Sequence, residues 1–162
     1  MPSDRAGAGG ATIRPAGPAD LSTVRELFVE YSRTLGFELD FQDFDDELDT
    51  LPGAYAPPGG ALLLAEVGGD PVGCIGLRPL EQGCCELKRM YVRPERRGLG
   101  IGRALALAVI DAARECGYER MRLDTIDTMT PAIALYDSLG FVEIPAYRPN
   151  PIPGAAFFEL EL

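Results

Sequence analysis

Tyr91-Val92-Arg93-Pro94-Glu95-Arg96-Arg97-Gly98-Leu99-Gly100-Ile101-Gly102-Arg103 carries more structural information than any other part of the chain. A strand-like run stops at Pro94, three glycines alternate at 98, 100 and 102, and a helical pattern follows directly. The first amides of a helix lack carbonyl partners and carry the positive end of the macrodipole. Glycines at that point let the backbone curl closely around an anion, at φ values other residues resist. The chemistry this favours is binding of a phosphate or pyrophosphate, with Arg97 and Arg103 able to add charge-assisted bonds. A tight strand-to-helix connection with solvated arginines is the bland alternative, and glycines alone do not separate the two.

Outward from this turn, the spacing predicts a helix from about Gly100 to Glu115. Ile101, Leu105, Ala108, Val109 and Ala112 form its buried stripe, and Gly117 caps it. Upstream, Glu86 to Val92 reads as a strand. Ala61 to Val67 and Pro71 to Leu77 read as a hairpin about Gly68-Gly69-Asp70. Nearer the N-terminus, Ala11 to Arg14 is a short strand. Pro18-Ala19-Asp20 then opens a helix whose Leu21, Val24, Leu27, Phe28, Tyr31 and Leu35 recur at three and four, ending at Gly36. A second, acidic helix is expected from about Phe41 to Leu51, and Pro52 to Gly60 as a loop. Downstream lie a strand at Arg120 to Thr125, a helix at Pro131 to Leu139 and strands at Phe141 to Ile144 and Ala156 to Leu162. The last two are separated by the proline-rich Pro145 to Pro153. Residues 1–10, small and polar, read as a disordered tail. Residues 11–162 form one mixed α/β domain without repeats or linker.

Composition narrows the chemistry. A chain of 162 residues suits one domain with a single core. Its net charge of −10 repels a phosphate backbone, so nucleic acid is not an expected partner. The absence of histidine removes Ser-His-Asp and Cys-His catalysis and any His-ligated metal. Cys74, Cys84, Cys85 and Cys116 contain no CxxC pair, so no metal site is expected and reduced core thiols are the preferred reading. Residues 1–10 lack an apolar signal segment, and no run reaches the ~18 apolar residues of a membrane span. A soluble cytoplasmic protein without a membrane partner is expected. The single lysine, Lys88, among many Ala, Gly and Pro suggests a GC-rich bacterial genome.

Two phosphate-binding patterns compete for the glycine turn. A dinucleotide site wants G-x-G-x-x-G with an acid about 20 residues later, a place Asp124 superficially fills. Arg103, however, stands where the third glycine belongs, and too few parallel strands follow. The other pattern is Arg/Gln-x-x-Gly-x-Gly/Ala, met by Arg97, Gly100 and Gly102. Together with Glu86-Leu87-Lys88-Arg89-Met90-Tyr91-Val92 before the turn and Ala132-Ile133-Ala134-Leu135-Tyr136-Asp137-Ser138-Leu139-Gly140-Phe141 after it, the sequence resembles the GNAT superfamily of acyl-CoA N-acyltransferases. The resemblance spans Ala11 to Leu162.

That resemblance implies a single-domain fold with a mixed, mostly antiparallel sheet, flanked by helices and splayed where acetyl-CoA binds. It implies that backbone groups of Met90, Tyr91 and Val92 pair with the pantetheine arm. It places the pyrophosphate on the amides of Gly98, Leu99, Gly100, Ile101, Gly102 and Arg103, beside Arg97. It makes Tyr136 the general acid toward the CoA sulfur; a phenol near 10 facing a thiol near 8.5 is mismatched by only about 2 kcal/mol. Pro131 departs from the asparagine many members carry near the pantetheine. Many members are dimers, and the acidic surface does not oppose a homodimer.

The implied reaction is direct attack of an amine on the thioester in a ternary complex, through a tetrahedral intermediate. An alkylamine with a pKa near 10.4 is neutral in roughly one molecule in 2,500 at pH 7, a cost of about 4–5 kcal/mol without help. With no histidine, a carboxylate acting through water is the natural base. Glu86, opening the strand of the acetyl site, is the first candidate, against an ion pair with Lys88 on the same face. Glu66 and Asp124 are weaker alternatives, and Asp127 is placed to meet a cationic substrate. Phe37, Phe41, Tyr55, Tyr147 and Asn150 are candidates for the acceptor pocket. A small-molecule amine or amino acid is the expected substrate; the alternative is a non-catalytic domain that senses acyl-CoA.

Overall fold

Runs of Leu, Val, Ile and Cys with both faces apolar demand a sheet covered on two sides, and the chain builds one. In a computed structural model, which describes residues 5–6, 10–35 and 43–162, eight strands form a single sheet. They are β1 (Arg5–Ala6), β2 (Thr12–Pro15), β3 (Ala61–Val67), β4 (Asp70–Glu81), β5 (Cys84–Val92), β6 (Arg120–Ile126), β7 (Val142–Ile144) and β8 (Ala155–Glu161). The spatial order is β1-β2-β3-β4-β5-β6-β8-β7. Only β5 and β6 run parallel; the other pairs are antiparallel. Helices α1 (Leu21–Thr34) and α2 (Phe44–Asp49) cover one face, and α3 (Ile101–Glu115) and α4 (Thr130–Ser138) the other. The mixed, mostly antiparallel fold expected from the sequence is the one observed.

Element positions follow the periodicity closely, with two informative differences. β4 runs four residues past Leu77, because Pro79 falls at a register irregularity where no ladder bond is needed. Arg5–Ala6 pairs with Ile13 and Thr12 at the sheet edge, inside the segment read as a tail. Residues 1–4 and 7–9 of that segment lie outside the described residues, as do Phe37 and Phe41.

A bulge in β5 accompanies the splay of the sheet. β5 pairs with β6 only over Cys84↔Arg120, Cys85↔Met121 and Glu86↔Arg122, and the strands then part. On the other side of β5, the register passes from Cys74↔Tyr91 to Gly76↔Lys88, two residues on β4 against three on β5. The extra residue lies at Arg89–Met90, where Arg89 adopts a φ of +58°. A bulge bends its strand and sharpens its twist. The left-handed backbone costs about 1–2 kcal/mol. Glu47 of α2 offsets it: the Arg89 guanidinium donates to both carboxylate oxygens, each at 2.9 Å, with both side chains buried. The Phe44 ring packs 5.2 Å from the same guanidinium.

The bulge also corrects the face assignment. Strict alternation puts Met90 beside Glu86 and Lys88. Instead the inserted residue flips the strand, and Met90 and Val92 join Cys85 and Leu87 in the cluster beneath α3. Tyr91 then packs with Cys74 and Phe28 beneath α1. Among the described residues no helix is long and apolar enough to cross a membrane, and no group of three His, Cys, Asp or Glu side chains is placed to hold a metal ion.

Candidate active site

Where β5 leaves β6, a cleft of about 590 Å³ opens along Met90, Tyr91 and Val92 to the start of α3. Gly98 and Gly100 hold φ of +77° and +81°, the second as the N-cap of α3. These values turn the chain so that the helix begins facing the cleft. A Cβ at Gly98 would meet nothing within 4 Å, and at Gly102 only side chains at 3.9 Å. Crowding within the protein therefore does not require glycine at these positions. The free space over the first turn of α3 suits a ligand close to its amides, and the residues fit the pyrophosphate of a CoA molecule.

Arg97 stands at the mouth of the cleft, its Nε donating to the Val92 carbonyl at 3.0 Å and its guanidinium 5.8 Å from the Tyr91 ring. Leu99 and Arg103, expected in the same set, do not line the cleft. Leu99 is 44% exposed, and Arg103 donates to the Ser138 hydroxyl at 3.0 Å. Arg96, not among the expected residues, does line it. Pro131 is also in the wall, with Ala132 and Leu135 of α4.

A second, inner cavity of about 50 Å³ lies deeper in the splay and shares Tyr31, Met90, Met129 and Ala132 with the cleft. Tyr136 reaches it from α4, Lys88 from β5, Asp124 from β6 and Asn150 from the 145–153 loop. Lys88 Nζ lies 3.5 Å from Asp124 Oδ1, both side chains only 4% exposed. Asn150 Nδ2 donates to Asp124 Oδ2 at 3.3 Å. Burial, helped by Arg89, pushes the Lys88 ammonium down to about 8, although Glu86 and Asp124 oppose the shift. Burial, with Tyr31 and Asp124 nearby, pushes the Tyr136 phenol well above its usual range, so it stays protonated and able to donate. Tyr136 packs its ring against Phe141, 5.6 Å away.

Glu86 is held in ion pairs with Arg78 and Arg148. Its carboxylate is 0% exposed and lines neither cavity. Arg78 Nε donates to Oε1 at 2.9 Å, while Tyr147 Oη, at 2.6 Å, and Arg148 Nη2 donate to Oε2. Burial alone would raise its pKa, but Lys88, Arg78, Arg148 and the Tyr147 hydroxyl outweigh it and hold Glu86 at about 2. A carboxylate held so low and shut away from both cavities is a poor proton acceptor. Its bonds from Tyr147 and Arg148 make a clasp that fastens the 145–153 loop to the sheet.

Among the weaker carboxylates, Glu66, near the end of β3, is bound to Arg14 of β2 at 2.6 Å. Asp127 is exposed, against Gly154. Asp124 is no solvated strand end; it is the carboxylate inside the inner cavity. Tyr55 is core, edge-on to Phe28 with its hydroxyl donating to Glu47 at 3.1 Å. Tyr147 belongs to the clasp and to Phe157, and Asn150 lines the inner cavity. Sequence reasoning missed Arg89–Glu47 and the Lys88–Asp124 pair. The available signal was two adjacent cations within a strand that is apolar apart from them and Glu86, which alternation cannot both send to solvent.

A splayed sheet, a glycine-turned helix start at its mouth and a buried tyrosine within define an acetyltransferase-type site. An acetyltransferase of Staphylococcus aureus shares the fold, with a TM-score of 0.77 and 25% identity over 93% of this chain and 98% of that one. A Thermoplasma acidophilum N-acetyltransferase solved in complex with coenzyme A shares it too, at a TM-score of 0.72 and 18% identity, over 94% and 99%. An uncharacterised N-acetyltransferase of Schizosaccharomyces pombe is 43% identical over 147 residues, 90% of each chain. The chain belongs to the acetyltransferase (GNAT) family, whose model matches residues 21–141, and it is an acyltransferase.

Proposed function

We propose that this enzyme transfers an acetyl group from acetyl-CoA to the primary amine of a small molecule or amino acid, by direct attack in a ternary complex. The observation that carries the reading is the junction of two cavities at Met90: a long cleft ending on the α3 amides, and a small polar chamber holding Tyr136, Lys88 and Asp124. Acetyl-CoA supplies an activated thioester. The backbone of Met90, Tyr91 and Val92 orients its pantetheine arm, and the amides of the glycine turn, with Arg97, hold its pyrophosphate. Tyr136, protonated at pH 7, donates to the leaving sulfur.

The proton lost by the amine goes to the Lys88–Asp124 pair. Asp124 is the carboxylate in reach of an amine beside Tyr136, and Lys88 with Asn150 fixes its orientation. The enclosed setting strengthens each polar contact relative to water. The test is to mix enzyme, acetyl-CoA and a panel of amines and follow thiol release. Amine-dependent release that falls about a hundredfold or more in Asp124→Asn supports the reading. Release unchanged in that variant removes Asp124 from the proton path.

A further inference from the structure

The cleft and the inner cavity meet at a narrow place. Tyr31, Met90, Met129 and Ala132 line both, so the passage from one to the other runs among these side chains. Ala132 is small, and Met90 packs against the core beneath α3. Tyr31 is braced by the Tyr91 ring, edge-on at 6.3 Å, and by the Arg89 guanidinium 6.0 Å away. Met129, the residue that leads into α4, completes the passage.

Methionine ordinarily adapts to what it meets, because its side chain is unbranched and turns about several bonds. Met129 is held instead. Its N–H donates to the Ile126 carbonyl at 3.0 Å, and its carbonyl accepts from the Ile133 N–H at 3.0 Å. Its sulfur accepts from the Thr125 hydroxyl at 3.6 Å, and Thr125 itself lines the inner cavity. A thioether is a weak acceptor, but with the backbone fixed on both sides this bond settles where the sulfur lies. The space beyond is about 50 Å³, room for about four water-sized groups. A thioester laid along Met90 to Val92 with its sulfur toward Tyr136 puts its acyl group there, and the attacking nitrogen must enter the same space. The carbonyl and methyl of an acetyl group take up that space together with the nitrogen. Each further methylene has to displace a wall, and overpacking a closed site is unfavourable.

We infer that Met129 limits the acyl donor to acetyl-CoA, and that the Thr125 hydroxyl is the positioning group that sets Met129 for this task. The inference names the donor that the acetyl-transfer site accepts and so rests on that reading. Truncating Met129 to alanine removes the sulfur and its two flanking carbons, which opens room for the longer chains.

The test compares donors within each variant. Acetyl-, propionyl- and butyryl-CoA are titrated calorimetrically into wild type, Met129→Ala and Thr125→Val, and kcat/KM for thiol release is then measured for each donor with a panel of amines. In wild type each added methylene should lower affinity and kcat/KM by about tenfold or more, the range for one methylene in a closed pocket. In Met129→Ala the three donors should fall within about threefold of one another, and Thr125→Val, which loses only the hydroxyl bond to the sulfur, should lie between. A general loss of folding does not mimic a change in the ratio. Donors handled alike by wild type, or a preference for acetyl that survives Met129→Ala, overturn the inference while thiol release leaves acetyl transfer standing. A graded affinity erased in Met129→Ala, with no thiol release from any amine, leaves the gate standing and defeats acetyl transfer instead. No binding of any donor overturns both.

Discussion

Replacing Glu86 by Gln separates a clasp from a base. In the folded protein Glu86 lies at about 2, against 4.5 for an ordinary glutamate. At 1.36 kcal/mol per tenfold, that gap corresponds to about 3 kcal/mol of stability. Because the folded value is depressed, this stability is fully present above about pH 4.5 and is lost as the pH falls toward 2. Gln keeps the shape but has a single acceptor oxygen where Arg78 uses one carboxylate oxygen and Tyr147 with Arg148 the other, and it leaves Arg78 and Arg148 without their counter-charge, so about 3 kcal/mol is lost at neutral pH. For a domain of this size the melting temperature falls by about 6–12 °C. Urea unfolding at pH 7 should show the full difference between wild type and Glu86→Gln, and at pH 3 a clearly smaller one. In kinetics, the loosened 145–153 loop raises KM for the amine, while the pH profile of kcat/KM keeps its acid limb. Wild-type stability combined with a collapsed kcat and a vanished acid limb would refute the clasp and restore Glu86 as the base.

Further substitutions probe the rest of the site. Tyr136→Phe should lower kcat by about a hundredfold or more while acetyl-CoA affinity changes little, measured by thiol release and calorimetry. Lys88 is depressed to about 8 in the fold, so the unfolded chain binds the extra proton between pH 8 and about 10.5. Wild-type stability relative to Lys88→Met should therefore rise with pH across that window, as read by denaturant titrations. Gly100→Ala places a side chain at φ +81° and should cost about 1–2 kcal/mol of stability, with acetyl-CoA Kd rising about tenfold. Glu47→Ala strands the buried Arg89 side of the bulge and should destabilise by about 3 kcal/mol, with loss of activity following the splay.

The parts of the site built from local chain geometry were legible. Alternating glycines before an amphipathic helix announce a helix start turned toward an anion, and Gly98 and Gly100 do adopt the left-handed backbone that this requires. The aliphatic spacing of α3 and the hairpin of β3 and β4 follow from period alone. Polar pairing across the fold was not legible, because it depends on the bulge at Arg89–Met90. No residue type there signals a bulge, since Arg in a left-handed conformation is stabilised by Glu47, 42 residues away. Once the strand slips by one, Met90 changes face, and the strict alternation used to group Glu86, Lys88 and Met90 fails. Glu86 illustrates the same limit. Its position at the head of β5 suits a base, yet Arg78 on β4 and Arg148 on the last loop neutralise it from elements distant in sequence. Asp124 was undervalued for the converse reason: a strand end reads as solvated until the splay encloses it.

A calorimetric titration of acetyl-CoA into the wild-type protein asks whether the cleft between β5 and the start of α3 holds this molecule. Saturable binding at one site per chain, weakened about tenfold by Gly100→Ala, is the expected result. Absence of binding, or binding indifferent to that substitution, would contradict it.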